Sequence, residues 1–204
     1  TMGYNAFFRN TVKMNRRLTW VFTFSVITLV LYLGSLLGFM LQTVYAISVL
    51  GCLLSLYYLW AVWKKKYRFR RLDYIALGMM AYLLLFGITL WHSPLLHYDN
   101  FTHWATIVKF FHINNALPTQ QDTIISYYTY PVGSSLFIYF FTTIVGFSEG
   151  SMLVGQFFLI ASSLYAMFAA LRDDRRVLMV SMIFASFAVF ITFNVAIRLN
   201  NFLV

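Results

Sequence analysis

Long runs of apolar residues constrain this chain more than any other feature of its sequence. An α-helix needs about 20 such residues to cross a bilayer. Hydrophobic residues make up 61% of the 204 residues and charged residues only 10%, against about 25% in soluble domains. The sequence therefore predicts an all-α, polytopic transmembrane helix bundle of about six spans. These spans are at 18–41, 43–63, 73–91, 132–147, 151–171 and 177–197.

The basic residues indicate how these spans are oriented. The net charge is +9, but the cations are grouped beside apolar segments, which argues against a nucleic-acid partner. Four basic residues lie within 9–17 and six more within 64–71. Basic flanks of this kind mark the cytoplasmic ends of spans, and they also suit anionic lipid headgroups. The sequence therefore predicts a multi-pass protein of the cell membrane with a cytoplasmic N-terminus.

One part of this topology is left open by the sequence. Strict alternation of six spans places the turn at 172–176, with its three arginines and two aspartates, outside the cell. The preference of basic residues for the cytoplasmic side disfavours that placement. Either this turn lies outside, or the fourth apolar segment, 132–147, is re-entrant. That segment reaches only about 24 Å as a helix, which is short for a bilayer.

The chain divides into three parts. Residues 1–17 are a basic cytoplasmic lead, for which a helix on the membrane surface and a frayed tail are both open. Residues 18–72 form a two-span hairpin, with a turn predicted at Gln42 and Thr43 and a Gly-x-x-x-Gly pair, Gly34 and Gly38, that permits close helix approach. Residues 73–204 form the core. Residues 198–204 lead toward a further apolar segment, so we expect a longer protein.

The connection at 92–130 is the part of the chain with the most potential for chemistry. It holds all four histidines and two of the six acidic residues, and Lys109 is its one basic residue, which fits an extracytoplasmic loop. Titratable groups near lipid are costly and mark functional sites. Apolar residues recur at spacings of three and four over 100–113. This pattern predicts an amphipathic helix lying along the membrane surface.

Asp99 and His103 are the candidate catalytic residues in this connection. Their spacing of four would place both on one face of a helix, where a carboxylate can orient an imidazole. Asp99 could instead cap the helix through the backbone N–H groups of Phe101 or Thr102. A metal site could draw on His97 together with this pair, but the spacing matches no strong zinc motif, so no metal ligand is assigned.

Four further residues are candidates for substrate binding. Trp104 suits a membrane-interface anchor or a platform for a sugar ring. Lys109 could meet an anionic headgroup or a substrate phosphate, although an isolated surface lysine is the simpler interpretation. Asp122 could supply a second carboxylate if the connection folds back. Tyr130 opens the Tyr-Pro-Val-Gly sequence that precedes the fourth apolar segment.

Two short motifs resemble the GT-C superfamily of polyprenyl-linked membrane glycosyltransferases. They are the Tyr-Asp-Asn-Phe-Thr-His-Trp sequence at 98–104 and the Tyr-Pro-Val-Gly-Ser-Ser sequence at 130–135. The resemblance is to multi-spanning bacterial cell-envelope proteins, and it extends over about residues 74–197. It implies that Asp99 lies at the catalytic centre. Asn100 stands where many relatives carry a second acidic residue, so the resemblance leaves the need for a divalent cation open.

The resemblance implies transfer of a sugar from a polyprenyl-phosphate donor to a cell-envelope acceptor at the outer face of the membrane. Its partners would be that lipid-linked sugar, membrane lipids and further membrane subunits. A transporter or flippase-like component is the alternative, with the same connection acting as a gate, and a non-catalytic scaffold subunit is a third. No phosphate-binding glycine loop and no serine hydrolase motif occurs in the sequence, which argues against an ATPase.

Overall fold

The computed structural model describes residues 1–64, 74–125, 128–171 and 175–192. Within these ranges the chain forms eight α-helices and no strand, which confirms the predicted all-α class. The helices are α1 (Met2–Asn10), α2 (Thr19–Leu36), α3 (Met40–Trp63), α4 (Tyr74–Trp91), α5 (Ala105–Asn114), α6 (Gly133–Val145), α7 (Glu149–Met167) and α8 (Arg176–Thr192). A π-helical turn, Asn100–Trp104, leads into α5, and a 3-10 turn, Phe168–Ala170, follows α7.

Four of these helices are long and apolar enough to cross a membrane: α2, α3, α4, and α7 with its 3-10 turn. They correspond to the first, second, third and fifth predicted spans and indicate a multi-pass membrane protein. The fourth predicted span is the shorter helix α6, and the sixth begins as α8. Asp73, at the start of the third predicted span, and residues 193–204 lie outside the described ranges.

The α2–α3 hairpin turns at Gly38 rather than at Gln42 and Thr43, so the predicted turn is wrong by about one helical turn. Gly38 has a φ of +78°, a conformation that favours glycine at the end of a helix. The Phe39 N–H donates to the Gly34 carbonyl at 2.8 Å, which closes the last turn of α2. Gly34 allows α2 and α3 to approach closely, since a Cβ there would overlap the Thr43 side chain of α3.

The first part of the basic lead forms helix α1, which packs along α3. Gly3 lies directly against the backbone of α3, where a Cβ would overlap the Gly51 carbonyl oxygen. The Tyr4 hydroxyl donates to the Ile47 carbonyl at 2.8 Å, and the hydroxyls of Thr11 and Tyr58 share a hydrogen bond. The lead is therefore neither a frayed tail nor a helix resting only on lipid. Small residues on both helices allow this contact.

The contacts at the two ends of α7 determine its direction in the bundle. At its start, the Leu95 N–H donates to the Glu149 carboxylate at 2.7 Å, and Gly150 lies against the Trp91 carbonyl oxygen. At its end, Arg17 donates to the carbonyl oxygens of Phe168 and Leu171 at 2.7 and 2.9 Å. The start of α7 therefore adjoins the end of α4, and the end of α7 adjoins the start of α2.

The direction of α7 bears on the two topologies that the sequence left open. The turn before α7, at 146–148, lies at the same end of the bundle as His92–Leu95, so strict alternation over six spans is not followed. The end of α7 lies at the opposite end, beside Arg17. Tyr82 donates to the Ile183 carbonyl, and Gly78 contacts the Ile183 side chain. Helix α8 therefore runs beside α4.

Helix α6 starts partway down the bundle and ends at the turn before α7. Its 13 residues extend about 20 Å, short of the roughly 30 Å hydrocarbon core. Near its start, an added Cβ at Gly133 would lie 3.9 Å from the Thr28 side chain, midway along α2. Farther along, Phe141 packs on Phe158 of α7 with ring centroids 5.3 Å apart. Helix α6 thus covers only part of the length of the bundle.

The predicted amphipathic helix is present as the π-helical turn followed by α5. Part of its predicted apolar stripe is covered by protein: Ile107, Val108 and Phe111 are buried, whereas Phe101 is 57% exposed. Phe111 packs edge-on against Tyr139 of α6 at 5.9 Å. The buried part of the stripe joins the protein core. Ile107 and Phe111 pack with residues of α2, α3 and α6, and Val108 belongs to the cluster around α4 and α7.

Candidate functional site

Asp99 lies immediately before the π-helical turn and pairs with His97. Its carboxylate Oδ2 is 3.6 Å from His97 Nδ1, and its backbone N–H donates to the same nitrogen at 3.3 Å. In the neutral imidazole, Nδ1 therefore accepts from the backbone and Nε2 carries the proton. The carboxylate makes no capping bond to the following turn, so the alternative that Asp99 is a side-chain cap is not supported.

His103 is turned toward Trp104 and Tyr130 instead of toward Asp99. Its ring centroid is 4.7 Å from that of Trp104 and 5.1 Å from that of Tyr130, both edge-on. Trp104 and Tyr130 are themselves 6.4 Å apart. These three rings form an aromatic cluster between the π-helical turn and the approach to α6. The predicted pairing of Asp99 with His103 is replaced by pairing of Asp99 with His97.

The π-helical turn explains this rearrangement. The Ala105 N–H donates to the Asn100 carbonyl, five residues back, and Thr106 Oγ1 donates to the Phe101 carbonyl at 2.7 Å. In a regular α-helix, side chains four residues apart lie on one face. A π-helical turn contains one extra residue, so side chains four residues apart no longer lie on the same face. Turns of this type are frequent at functional sites.

Burial in this cluster disfavours the charged form of His103. The side chain is only 4% exposed, and burial lowers the pKa of His103 below its ordinary value of 6.5 because the charged form loses its hydration. Burial also lowers the pKa of His112, whose Nε2 lies 2.8 Å from the Thr142 hydroxyl. The structure therefore favours neutral imidazoles at both positions.

Tyr130 connects the aromatic cluster to a large cavity. This cavity has a volume of about 790 Å³ and lies between α2, α7 and the chain that leads into α6. Residues with hydroxyl groups line it from four elements: Ser25, Thr28 and Tyr32 from α2, Tyr128, Thr129 and Tyr130 from the connection, Ser134 from α6, and Ser162 and Ser163 from α7. We call it the hydroxyl-lined cavity. It contains the first turn of α6, where backbone N–H groups and the helix dipole favour an anion.

Sequence reasoning missed the hydroxyl groups contributed by α2 and α7. Serine and threonine are ordinary residues in membrane helices, and most of them bond the carbonyl four residues back. Thr28 does so, to Phe24 at 2.9 Å. The spacing of Ser25, Thr28 and Tyr32 at i, i+3 and i+7 was the available signal, because it aligns them on one helix face. Their convergence with α7 is a tertiary feature.

Two predicted binding residues lie apart from this arrangement. The Asp122 carboxylate accepts from Thr119 N and Thr119 Oγ1 at 2.7 and 2.8 Å, which stabilises its own turn. Lys109 is an exposed residue of α5, among buried neighbours that face the core. Neither residue lines the hydroxyl-lined cavity.

The described part of the chain contains no group of three side chains suited to hold a metal ion. His97 and Asp99 together could offer two ligands, fewer than the three or four of a typical zinc site. No family model, curated protein or solved structure matches this chain.

Proposed function

We propose that this chain is the core of a bacterial cell-membrane glycosyltransferase of the GT-C type, which transfers a sugar from a polyprenyl phosphate to a cell-envelope acceptor. The observation that carries the proposal is the position of Tyr130. Tyr130 packs against His103 and Trp104 of the aromatic cluster, which are close in sequence to Asp99, and it also lines the hydroxyl-lined cavity. Aromatic rings and convergent hydroxyls are the groups that bind a sugar ring.

The charge distribution supports placing this site at the outer face. Lys13, Arg17 and Lys64 lie at the end of the bundle where α2 starts, and Arg175 opens α8 beside the end of α7. We assign this end to the cytoplasm, because basic residues concentrate there. The connection that carries Asp99 then faces outward. The proposed topology has five crossings, by α2, α3, α4, α7 and α8, with α6 re-entrant.

In the proposed reaction, Asp99 is the general base. It takes the proton from the acceptor hydroxyl as the oxygen attacks the anomeric carbon. The bond from that carbon to the phosphate oxygen breaks, and the polyprenyl phosphate leaves with the electron pair. His97 lies beside the carboxylate, and Trp104 and Tyr130 hold the sugar. The first turn of α6 offers N–H groups to the developing phosphate charge.

A transporter or flippase-like protein is the second candidate, and α6 is the observation that favours it. Transporters place half-length helices at mid-membrane, where the open helix ends contact substrate. Helix α6 has this form and begins in a cavity bordered by the midpoint of α2. In that case, the hydroxyl-lined cavity would be a passage, and Asp99 would bind substrate without making a bond.

Asp99→Asn in the complete protein separates the two candidates. The amide preserves size but cannot accept the proton, so we expect sugar transfer from a radiolabelled polyprenyl-phosphate sugar to fall by about 10²- to 10⁴-fold. The unfolding temperature should change little, since the carboxylate makes no capping bond. His92→Gln, at an exposed position of the same connection, is the control.

Transfer by a stably folded Asp99→Asn protein at the parent rate would exclude Asp99 as the base. Translocation of the labelled lipid across proteoliposomes with no new glycosidic bond would favour the transporter. If Asp99→Asn loses both transfer and folding, Asp99→Glu is the second variant. It keeps a carboxylate at this position and should recover part of the transfer rate.

A further inference from the structure

The walls of the hydroxyl-lined cavity are polar but carry no charge. Among the described residues that line it there is no aspartate, glutamate, lysine, arginine or histidine. Serine, threonine and tyrosine hydroxyls alternate there with aliphatic side chains. A charged group at these walls would lose its hydration without meeting a counter-charge. The first turn of α6 is the exception, since its N–H groups and dipole favour an anion. The remaining walls therefore suit the uncharged part of a ligand.

Three hydroxyls of this cavity use their protons within their own helices. Thr28 Oγ1 donates to the Phe24 carbonyl at 2.9 Å. The Ser162 and Ser163 hydroxyls donate to the Leu159 carbonyl at 2.8 and 3.0 Å. A carbonyl oxygen can only accept, so the direction of each bond is fixed. A hydroxyl has one proton and two lone pairs, so these three groups meet a ligand as acceptors. We call them the acceptor wall.

The acceptor wall selects a ligand that can donate hydrogen bonds. Sugar hydroxyls have protons to donate, whereas a phosphate or carboxylate oxygen would set lone pairs against lone pairs. Acceptor oxygens also suit a cation, but no carboxylate among the lining residues offsets a positive charge, and an unpaired charge within a membrane is costly. Hydrogen-bond polarity and charge together admit a neutral polyol.

The position of the acceptor wall agrees with a sugar that is attached to a lipid. Thr28 lies beside the start of α6, since a Cβ at Gly133 would lie 3.9 Å from its methyl carbon. Ser163 is exposed and Tyr32 is 40% exposed, so the cavity opens at the side of the bundle. In a membrane this side meets lipid. A lipid-linked sugar can therefore enter from the bilayer, with its phosphate at the first turn of α6.

We infer that the hydroxyl-lined cavity binds a neutral sugar ring and that Thr28, Ser162 and Ser163 determine this specificity by accepting hydrogen bonds from the sugar hydroxyls. The inference rests on the proposed function and specifies its donor. That donor is a polyprenyl phosphate that carries an uncharged hexose, and a uronic acid or a cationic amino sugar is disfavoured. Tyr130 lines the same cavity and packs on the ring.

Equilibrium binding to the complete protein, in a detergent without sugar groups, measures this selectivity. The probes are citronellyl phosphates that carry glucose, mannose or galactose, and the tightest of the three is the reference probe. We expect the corresponding uronic acid probe to bind at least about tenfold more weakly, because its carboxylate loses hydration and meets acceptor oxygens. The corresponding amino sugar probe, in its cationic form, should also bind more weakly.

Deoxyfluoro analogues of the reference probe test the direction of the hydrogen bonds. Fluorine is close to a hydroxyl in size but cannot donate. We expect fluorine at a ring position that faces the acceptor wall to lower the affinity about two- to tenfold, the effect of one hydrogen bond. Thr28→Val and Ser163→Ala should each weaken the reference probe by a similar factor. Fluorine at the position that bonds the deleted hydroxyl should then cause no further loss.

Two exposed hydroxyls provide matched controls. Thr89 Oγ1 donates to the Leu85 carbonyl at 2.9 Å, as Thr28 does to Phe24, and Ser93 Oγ donates to the Thr89 carbonyl at 2.8 Å. Neither control residue lines the cavity. Thr89→Val and Ser93→Ala should therefore leave the affinity unchanged. If Thr28→Val fails to fold, Ser163→Ala is the variant that tests the wall.

Three results would overturn the inference: no neutral probe binds, a charged sugar probe binds as tightly as the reference probe, or every fluorinated analogue keeps full affinity. These outcomes are separable from the fate of the transfer reaction. Selective binding without a new glycosidic bond would refute the glycosyltransferase and retain the specificity of the cavity. Transfer that does not distinguish neutral from uronic acid donors would refute the specificity and retain the glycosyltransferase.

Discussion

The guanidinium of Arg17 donates a 2.7 Å hydrogen bond to the carbonyl oxygen of Phe168, 151 residues further along the chain. The same group bonds the Leu171 carbonyl at 2.9 Å and lies 3.6 Å from the Met179 sulfur. Carbonyl groups at the end of a helix lack partners within the helix, and a cation there also meets the negative end of the helix dipole. One buried side chain thereby joins the start of α2 to the end of α7.

Replacing Arg17 should destabilise the bundle. Arg17→Leu leaves the Phe168 and Leu171 carbonyls without these bonds, and we expect the free energy of unfolding in detergent to fall by about 3 kcal/mol. Arg17→Lys should be milder because one cationic donor remains. Arg9→Gln alters an exposed cation of the same lead and should change the free energy by less than about 0.5 kcal/mol. A parent-like Arg17→Leu protein would contradict the role given to these bonds.

Two helical glycines offer a matched test of packing between α4 and α7. A Cβ at Gly150 would overlap the Trp91 carbonyl oxygen, whereas a Cβ at Gly87 would meet no atom within 4 Å. We expect Gly150→Ala to lower the free energy of unfolding by about 1–3 kcal/mol, because backbone must move. Gly87→Ala should be neutral or stabilising by up to about 1 kcal/mol. Equal effects in thermal unfolding would argue against the close contact.

The proposed topology predicts which positions an impermeant maleimide reaches in intact cells. In a Cys52→Ser background, Gln120→Cys and Phe147→Cys should be labelled from outside. Lys13→Cys and Arg175→Cys should react only after the cells are opened. Strict alternation of six spans predicts the reverse for Phe147 and Arg175, so these two positions discriminate between the topologies. The Cys52→Ser protein without an added cysteine controls for background labelling.

Stability should depend on the protonation of His103. Its pKa is lowered by burial in the folded protein, so below pH 6.5 the unfolded chain binds a proton that the folded chain does not. Stability should therefore fall as the pH drops below 6.5, by about 1.4 kcal/mol per pH unit, until the folded pKa is reached. His112 should act in the same direction.

Thermal unfolding between pH 7.5 and 5 measures this dependence. His103→Gln should flatten the curve, and the control His92→Gln, at an exposed position, should leave it unchanged. The Gln variant also loses ring contacts with Trp104 and Tyr130, so its stability is compared across pH rather than with the parent at one pH. A parent slope retained in His103→Gln would assign the acid sensitivity to other groups.

Periodicity and charge predicted the helices well and their contacts poorly. The apolar runs identified α2, α3, α4 and α7, since a local pattern is sufficient to specify a long apolar helix. The turn was misplaced because Gln42 and Thr43 are polar, whereas the backbone conformation at Gly38 is what ends α2. Such an ending depends on a positive φ, which only the glycine itself signals.

The candidate site shows the same division between local and distant information. The pattern at 98–104 selected a candidate segment, but it paired Asp99 with His103 by assuming a regular helix. The π-helical turn changed that register, and the bond between Leu95 and Glu149 set the direction of α7. Neither feature follows from residues close in sequence, because both depend on how distant segments pack.

The bond between Leu95 and Glu149 also has a consequence for how this architecture can vary. The chain leaves the end of α4, traverses the connection, α5 and α6, and returns to the point of departure at the start of α7. Segments whose two ends coincide are the ones that tolerate insertion and exchange. Residues 96–148 thus connect two antiparallel helices, α4 and α7, and both ends of this segment lie close together. We expect changes in the length of its exposed turns to leave the contact between Leu95 and Glu149 in place, because such turns tolerate insertion.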